Sequence, residues 1–335
     1  MLKDLKRTYV IAEVGNNHEG DFGVARELID RAAETGVDAV KFQTFIAEKF
    51  TAPADPARFA RLKKFQLSFD QFAQLAEQAR KRGLMFISTP LDLDSARFLA
   101  TIVDALKIAS GDNTFWPLIE CCAESGRPMI ISTGISGEAE IQEAVDRVSA
   151  VWSAKGIAGE LALLHCIVSY PAPPEQANLG AIRTLQAAFP ELAIGYSDHI
   201  VGLDAAVTAA AMGARIIEKH FTLANDYSDF RDHQLSANPE DMTTLVRHIR
   251  TVESMMGDGA LGCMDCEREL VTPVRRSIAA GRDLPAGHVL GKDDIIWVRP
   301  GGGFAPGREV DVLSRKLTRA VAAGNMILPE YLEKG

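Results

Sequence analysis

The sequence predicts a (β/α)8 (TIM) barrel followed by a small, mostly β module. Three observations carry that prediction. Eight short β-rich runs alternate with longer amphipathic segments as far as residue 255 or so. Each of those runs ends in polar groups, which a purely structural sheet has no reason to do. Beyond residue 256 the helical period gives way to short runs broken by turn signals. A doubly wound open sheet is the runner-up, but no GxGxxG follows the first run.

Taken in order, TYVIAEVG (8–15) precedes the helix-like FGVARELIDRAAETG, and AVKFQTF (39–45) precedes ARFARLKKF and FDQFAQLAEQARKRG. LMFISTP (84–90) leads into DSARFLATI, and ALKIAS (105–110) into PLIECCAESG. PMIISTG (128–134) is paired with EAEIQEAVDRVSAVWSAKG, and ELALLHC (160–166) with LGAIRTLQAAF. AIGYSD (193–198) and ARIIEKHF (214–221) complete the set, followed by DAAVTAAAMG and PEDMTTLVRHIRTVESMMG respectively. Gly36, Gly83, Gly126 and Gly213 end helices where a left-handed cap is expected. The barrel is assigned to 1–256. Residues 257–274 lack a clear period and read as a linker, and 275–335 form the β module through RRSIAAGRDLPAGHVL, DIIWVRPGGGFAP and KLTRAVAAGNMIL.

Composition narrows the function classes. With 47% hydrophobic and 24% charged residues the chain is an ordinary globular one. A net charge of −9 opposes nucleic acid or an anionic membrane surface as the main partner. An anionic small molecule would then need locally placed cations or a metal. No apolar leader follows MLKDLKR and no run approaches the ~20 residues that span a bilayer, so a cytoplasmic location is expected. Five cysteines, an odd number spread along the chain, read as reduced, and the Cys263/Cys266 CxxC lacks a second pair.

In barrels of this kind the chemistry sits at the C-terminal ends of the strands. Those ends carry Glu13 and Asn16-Asn17-His18, Lys41 and Gln43, Ser88-Thr89, Lys107 and Ser110, and Ser132-Thr133. The last three carry His165-Cys166 with Ser169 and Tyr170 beyond, Ser197-Asp198-His199, and Lys219-His220. Lys41 and Lys107 lie inside apolar runs, where a buried ammonium needs a counter-charge. With the neighbouring hydroxyls they form a cradle suited to a phosphate and a carboxylate. His199 and His220 end adjacent strands about 5 Å apart, so their rings can meet. Alternation puts Gly195, Ser197 and His199 on one face, and Glu218 with His220 on one face. Two imidazoles without thiolates suit an open divalent-metal site rather than a closed structural one.

Together IAEVGNNHEG, AVKFQTF, FISTP, LKIASGD, IISTG, LLHCIVSYPAP, GYSDHIVG and EKHFTL resemble the sialic acid (N-acetylneuraminate, nonulosonate) synthase family. RRSIAAGRDLPAGHVL and WVRPGGG resemble its C-terminal antifreeze-like (SAF, β-clip) domain. The resemblance implies condensation of phosphoenolpyruvate with an N-acetylmannosamine-type sugar, phosphate leaving by C–O cleavage. It implies Mn2+, with Mg2+ or Co2+ as substitutes, on His199 and His220, and phosphoenolpyruvate on Lys41, Thr89, Lys107, Ser110, Ser132 and Ser197. Gln43, Tyr170 and Asp232 would face the sugar, Glu13 would position it and manage proton transfer, and Asp112 would stand where the family commonly has Glu. It also implies a domain-swapped homodimer in which Arg299, in the motif matching VRPG, reaches the sugar's acyl group. Asp112, Val168 and the loop SDFRDHQLS (228–236) depart from the family pattern where the sugar binds. The acceptor is therefore left among N-acetylmannosamine, its 6-phosphate and a diacetamido sugar. Two alternatives stand beside this: another phosphoenolpyruvate-dependent 3-deoxy-sugar-acid synthase with a different aldose, and a catalytically silent carbohydrate-binding homologue.

Overall fold

The computed structural model describes residue 2 and residues 5–333. The chain divides into two compact units, Met1–Gly257 and Asp258–Gly335.

In the first unit eight parallel strands close into a barrel in sequence order. They are β1 (Tyr9–Gly15), β2 (Ala39–Thr44), β3 (Met85–Pro90), β4 (Ala105–Ile108), β5 (Met129–Ser132), β6 (Leu161–Cys166), β7 (Ala193–Asp198) and β8 (Ile216–His220). The period-2 alternation of each strand builds two apolar layers and one polar one. Outward residues such as Val10, Ala12, Val40, Phe42, Phe86, Leu106 and Ile217 meet the helices in the main core. Inward residues at the lower level, Ile11, Ala39, Ile87, Ala105, Ile130, Ala162, Leu164 and Ile216, fill the barrel interior. Two residues further along, the same inward phase brings Glu13, Lys41, Thr89, Lys107, Ser132, Cys166 and Glu218 to one level at the C-terminal end. Close packing of the lower layer keeps the polar one from collapsing downward.

Side chains cap the starts of two outer helices. Asp21 accepts from the backbone of Gly23 and Val24 at the start of Phe22–Glu34, and Ser68 with Gln71 forms a reciprocal capping box on Phe69–Lys81. Gly36 and Gly213 take positive φ, 83° and 91°, which lets the chain turn from helix to the next strand. Among the described residues no helix is long and apolar enough to cross a membrane.

The second unit has its own core of Ile278, Leu284, Leu290, Ile295, Leu317, Val321, Ile327 and Leu332. Strands β9 (Ser277–Ala280) and β10 (Ile295–Val298) pair antiparallel, and single bridges such as Leu284↔Val321 and Leu317↔Leu332 tie the remaining turns together. Within the stretch expected as a linker, Asp265–Leu270 and Val271–Val274 wind into short helical turns, and Gly301 N donates to Thr272 O at 2.8 Å. All five cysteines are free, Cys263 and Cys266 on the surface.

Candidate active site

The charged heart of the barrel mouth is a four-membered cluster. Lys41 Nζ lies 2.9 Å from Glu13 Oε2 and 3.7 Å from Glu218 Oε1, and Lys107 Nζ lies 3.9 Å from that same Glu218 oxygen. The counter-charges that a buried ammonium demands are thus Glu13 and Glu218, supplied by β1 and β8. Neighbouring strands add hydroxyls: Lys41 Nζ donates to Thr89 Oγ1 at 3.2 Å and Lys107 Nζ to Ser132 Oγ at 2.6 Å. Ser197 Oγ donates to Glu218 Oε1 at 2.8 Å, and Ser110 Oγ accepts from Gly134 N at 3.1 Å.

Burial and mutual charge set the protonation of this cluster. Burial, with the charge of Glu218 beside it, raises the Glu13 carboxyl above its ordinary range despite the pull of Lys41. Glu218 is held low although burial opposes it, because Lys107 and Lys41 stabilise its anion and Ser197 donates to it. Burial alone would lower Lys41, but Glu13 and Glu218 outweigh it and raise the ammonium. Lys107, with only Glu218 close by, is lowered by burial. The mouth therefore holds two carboxyls whose surroundings push them in opposite directions, Glu13 up and Glu218 down.

The two imidazoles meet at the rim with ring centroids 5.3 Å apart and planes inclined by 59°. His199 follows the last residue of β7, and its Nδ1 lies 2.8 Å from the Ile167 carbonyl, so this nitrogen carries the proton and Nε2 the lone pair. Burial lowers both rings below the ordinary histidine range, His220 strongly, and keeps them neutral. His220 Nδ1 is buried without a hydrogen-bond partner. Neutral imidazoles at this separation, one with an orphaned nitrogen, fit a divalent cation that takes its remaining ligands from water or substrate. Among the described residues no set of three or more His, Cys, Asp or Glu side chains is arranged to hold a metal, so a cation here would have an open coordination shell. Tyr170 lies against both rings, 4.1 Å from His199 and edge-on to His220 at 5.9 Å.

Two connected chambers open at this end. The deeper is lined by the lysine cluster, Ser110, Ser132, Cys166 and Ser197. The outer, about 1130 Å3, is lined by Asn16, Glu19, Arg58, Arg61, Lys64, Arg231 and Asp232, and both share Gln43, Tyr170 and His220. Gln43 spans the join, donating to Glu13 Oε1 at 3.3 Å and accepting from Asn16 Nδ2 at 2.8 Å. Buried polar atoms are normally paired. Among the described residues most of the exceptions border these chambers: Asn16 Oδ1, Glu218 Oε2 and His220 Nδ1, with Glu13 Oε2 and Asp232 Oδ1 held only by ion contacts; Asn17 Oδ1 and His18 Nε2, just after β1, line neither.

Within the first unit the expected site residues converge on this mouth, except for Asp112. Asp112 closes the turn Ser110–Asp112 half-buried, its carboxyl raised by burial, and the deeper chamber is bordered by Gly111 instead. Arg299 belongs to the second unit, where it is exposed. Glu218 is the central residue the sequence reading left without a role. Its inward phase was fixed by His220 two positions later, but its position across from Ser197 depends on the β7–β8 register. Arg58, Arg61 and Lys64 also went unnoticed. Their spacing on the helix Pro56–Phe65 turns them to one face, and that face borders the outer chamber.

Most of the chain is similar to known proteins. The model of the NeuB family matches residues 28–260 and that of the SAF domain residues 275–333. An N,N'-diacetyllegionaminic acid synthase of Legionella pneumophila is 39% identical, over 97% of this chain and 94% of that one. A mouse N-acetylneuraminate-9-phosphate synthase is 31% identical, over 97% of this chain and 92% of the other. The crystal structure of an N-acetylneuraminic acid (sialic acid) synthetase from Leptospira borgpetersenii, in complex with citrate, superposes with a TM-score of 0.74 at 34% identity, covering 79% of this chain and 90% of that one.

Proposed function

The chain belongs to the NeuB family of nonulosonate synthases and carries a SAF domain, and from that premise we propose that it joins phosphoenolpyruvate to an N-acetylmannosamine-type sugar. The product is a sialic acid or related nonulosonic acid, with phosphate released. The observation that carries the proposal is the convergence of two buried lysines, four strand-end hydroxyls and two neutral imidazoles on one barrel mouth.

Lys41 and Lys107, with Thr89, Ser110, Ser132 and Ser197, grip the phosphate and carboxylate of phosphoenolpyruvate in the deeper chamber. Fixed donors orient its C3 toward the outer chamber, where Gln43, Tyr170 and Asp232 border the sugar. Mn2+, Mg2+ or Co2+ held by His199 and His220 would supply Lewis-acid polarisation of the open-chain aldehyde. Glu13, raised by burial and 2.9 Å from Lys41, is better placed than Asp112 to hold and deliver a proton at the new alkoxide. Glu218 keeps both ammonium groups aimed inward. In a domain-swapped homodimer Arg299 would reach the sugar's acyl group.

The test is phosphate release from phosphoenolpyruvate with N-acetylmannosamine, its 6-phosphate and a diacetamido hexose, in Mn2+ and in chelator. Release that needs both an acetamido sugar and metal is the expected result. No release with any of the three sugars would reject the proposal, and release confined to a fourth acceptor added to the panel, an aldose phosphate lacking the acetamido group, would move the chain to the other phosphoenolpyruvate-dependent 3-deoxy-sugar-acid synthases.

A further inference from the structure

Behind the two imidazoles lies an ion pair that none of these roles uses. Asp198 and Lys219 are register partners on β7 and β8, and each immediately precedes a rim histidine. Their phase points them out of the barrel, away from both chambers. Lys219 Nζ sits 2.8 Å from Asp198 Oδ2, with side chains 1% and 0% exposed. Asp198 Oδ1 also accepts from Ile200 N at 3.0 Å and from the Tyr196 hydroxyl at 3.2 Å. Lys219 Nζ donates in addition to the Ile200 carbonyl.

The consequence falls on His199. The residue before it supplies the carboxylate, and the residue after it is held at both backbone groups, N by Asp198 and O by Lys219. The His199 carbonyl accepts from Ala172 N at 3.0 Å, and its ring is fixed by the Ile167 carbonyl. One clamp therefore sets where the backbone leaves β7 and, through Lys219, ties it to the residue next to His220. A fully buried ion pair is a poor device for stability alone, because apolar groups of similar volume serve as well or better; what it supplies is fixed geometry.

We infer that Asp198 and Lys219 are positioning residues that set His199 and His220 relative to one another so that the two rings bind one divalent cation. The inference rests on the metal reading above. Partners bonded directly to ligating imidazoles tune metal affinity by about 10- to 100-fold, and Asp198 and Lys219 act on the same two rings through the backbone.

The experiment titrates Mn2+ into metal-depleted full-length protein and follows free Mn2+ by electron paramagnetic resonance. It compares wild type, His220→Ala, Asp198→Asn/Lys219→Met and Asp198→Glu. The double variant removes both charges at nearly constant volume, and Asp198→Glu keeps the charge while lengthening the clamp. Both are expected to fold, to bind phosphoenolpyruvate in chelator as wild type does, and to bind Mn2+ about 10- to 100-fold more weakly. Either variant binding Mn2+ with wild-type affinity would overturn the inference. So would a proportional loss of phosphoenolpyruvate affinity, or failure of both variants to fold, since each marks the pair as a general stability element. Wild type that binds no Mn2+, or His220→Ala that binds it undiminished, would refute the metal reading itself.

Discussion

A lysine ammonium at 4% side-chain exposure, 2.9 Å from one carboxylate and 3.7 Å from another, does two jobs that mutation can separate. Replacing Lys41 with Ala leaves Glu13 buried without its partner, a change that costs roughly 3 kcal/mol of stability. It also removes a cation from the proposed phosphoenolpyruvate cradle. The Glu13→Gln/Lys41→Met double variant relieves the first effect and not the second. Its melting temperature should recover toward wild type while its phosphoenolpyruvate affinity stays weak, read by thermal unfolding and by ligand titration. Recovery of both would remove Lys41 from the binding site. At this scale the His199–His220 pair was legible, because strand phase and adjacency suffice to bring two strand-end rings together. Glu218 and Asp198–Lys219 were not. In a buried IIEKH segment alternation gives each side chain a face but no partner, and the partner is decided by the stagger of β8 against β7.

Strand spacing at the rim depends on residues one level below it. Gly195 is the inward residue of β7 beneath Ser197 and His199, and a Cβ there would come 2.3 Å from the Ile216 carbonyl oxygen and 2.5 Å from Leu164 Cδ2. The first of these is backbone, so Gly195→Ala must push β8, and with it His220, away from β7. Overpacking of this sort costs about 1–3 kcal/mol. We predict that loss in chemical denaturation together with weaker Mn2+ binding; unaltered stability would mean β8 yields without strain. In the second unit Asp294 is the corresponding anchor. It accepts from Gly291 N at 2.8 Å, from His288 at 2.7 Å and from Arg282 at 2.6 Å, and these bonds depress its carboxyl to about 2. A depressed carboxyl adds stability that is complete above its ordinary value near 3.8 and is lost as pH falls toward about 2. The melting difference between wild type and Asp294→Asn should therefore shrink as pH falls below 4; a difference that stays the same between pH 4 and pH 3 would contradict the assignment. Strands and helices were legible because each carries its own period. The loop around 228–236 was not, since Ser228 and His233 are held by Glu19, more than 200 residues away, and no local pattern encodes that contact.

Each unit keeps a hydrophobic core of its own, the barrel's in an outer and an inner layer with two smaller clusters beside them. Chain ending at Gly257 should accordingly fold and bind phosphoenolpyruvate, while turnover of the sugar is impaired if Arg299 acts as proposed. Full sugar turnover by the truncated barrel would show the SAF domain to be dispensable. The overall plan was readable because eight alternations and a change of period are global signals, whereas the depth and charge of the outer chamber depend on a helix between β2 and β3 folding across the mouth. The central claim, that this mouth joins an enolpyruvyl carbon to a sugar aldehyde and lets water take the place of phosphate at C2, is tested most directly in 18O-labelled water. Cleavage of the C–O bond puts the label in the sugar acid and leaves the released phosphate unlabelled; label in the phosphate, with none in the acid, would contradict the account.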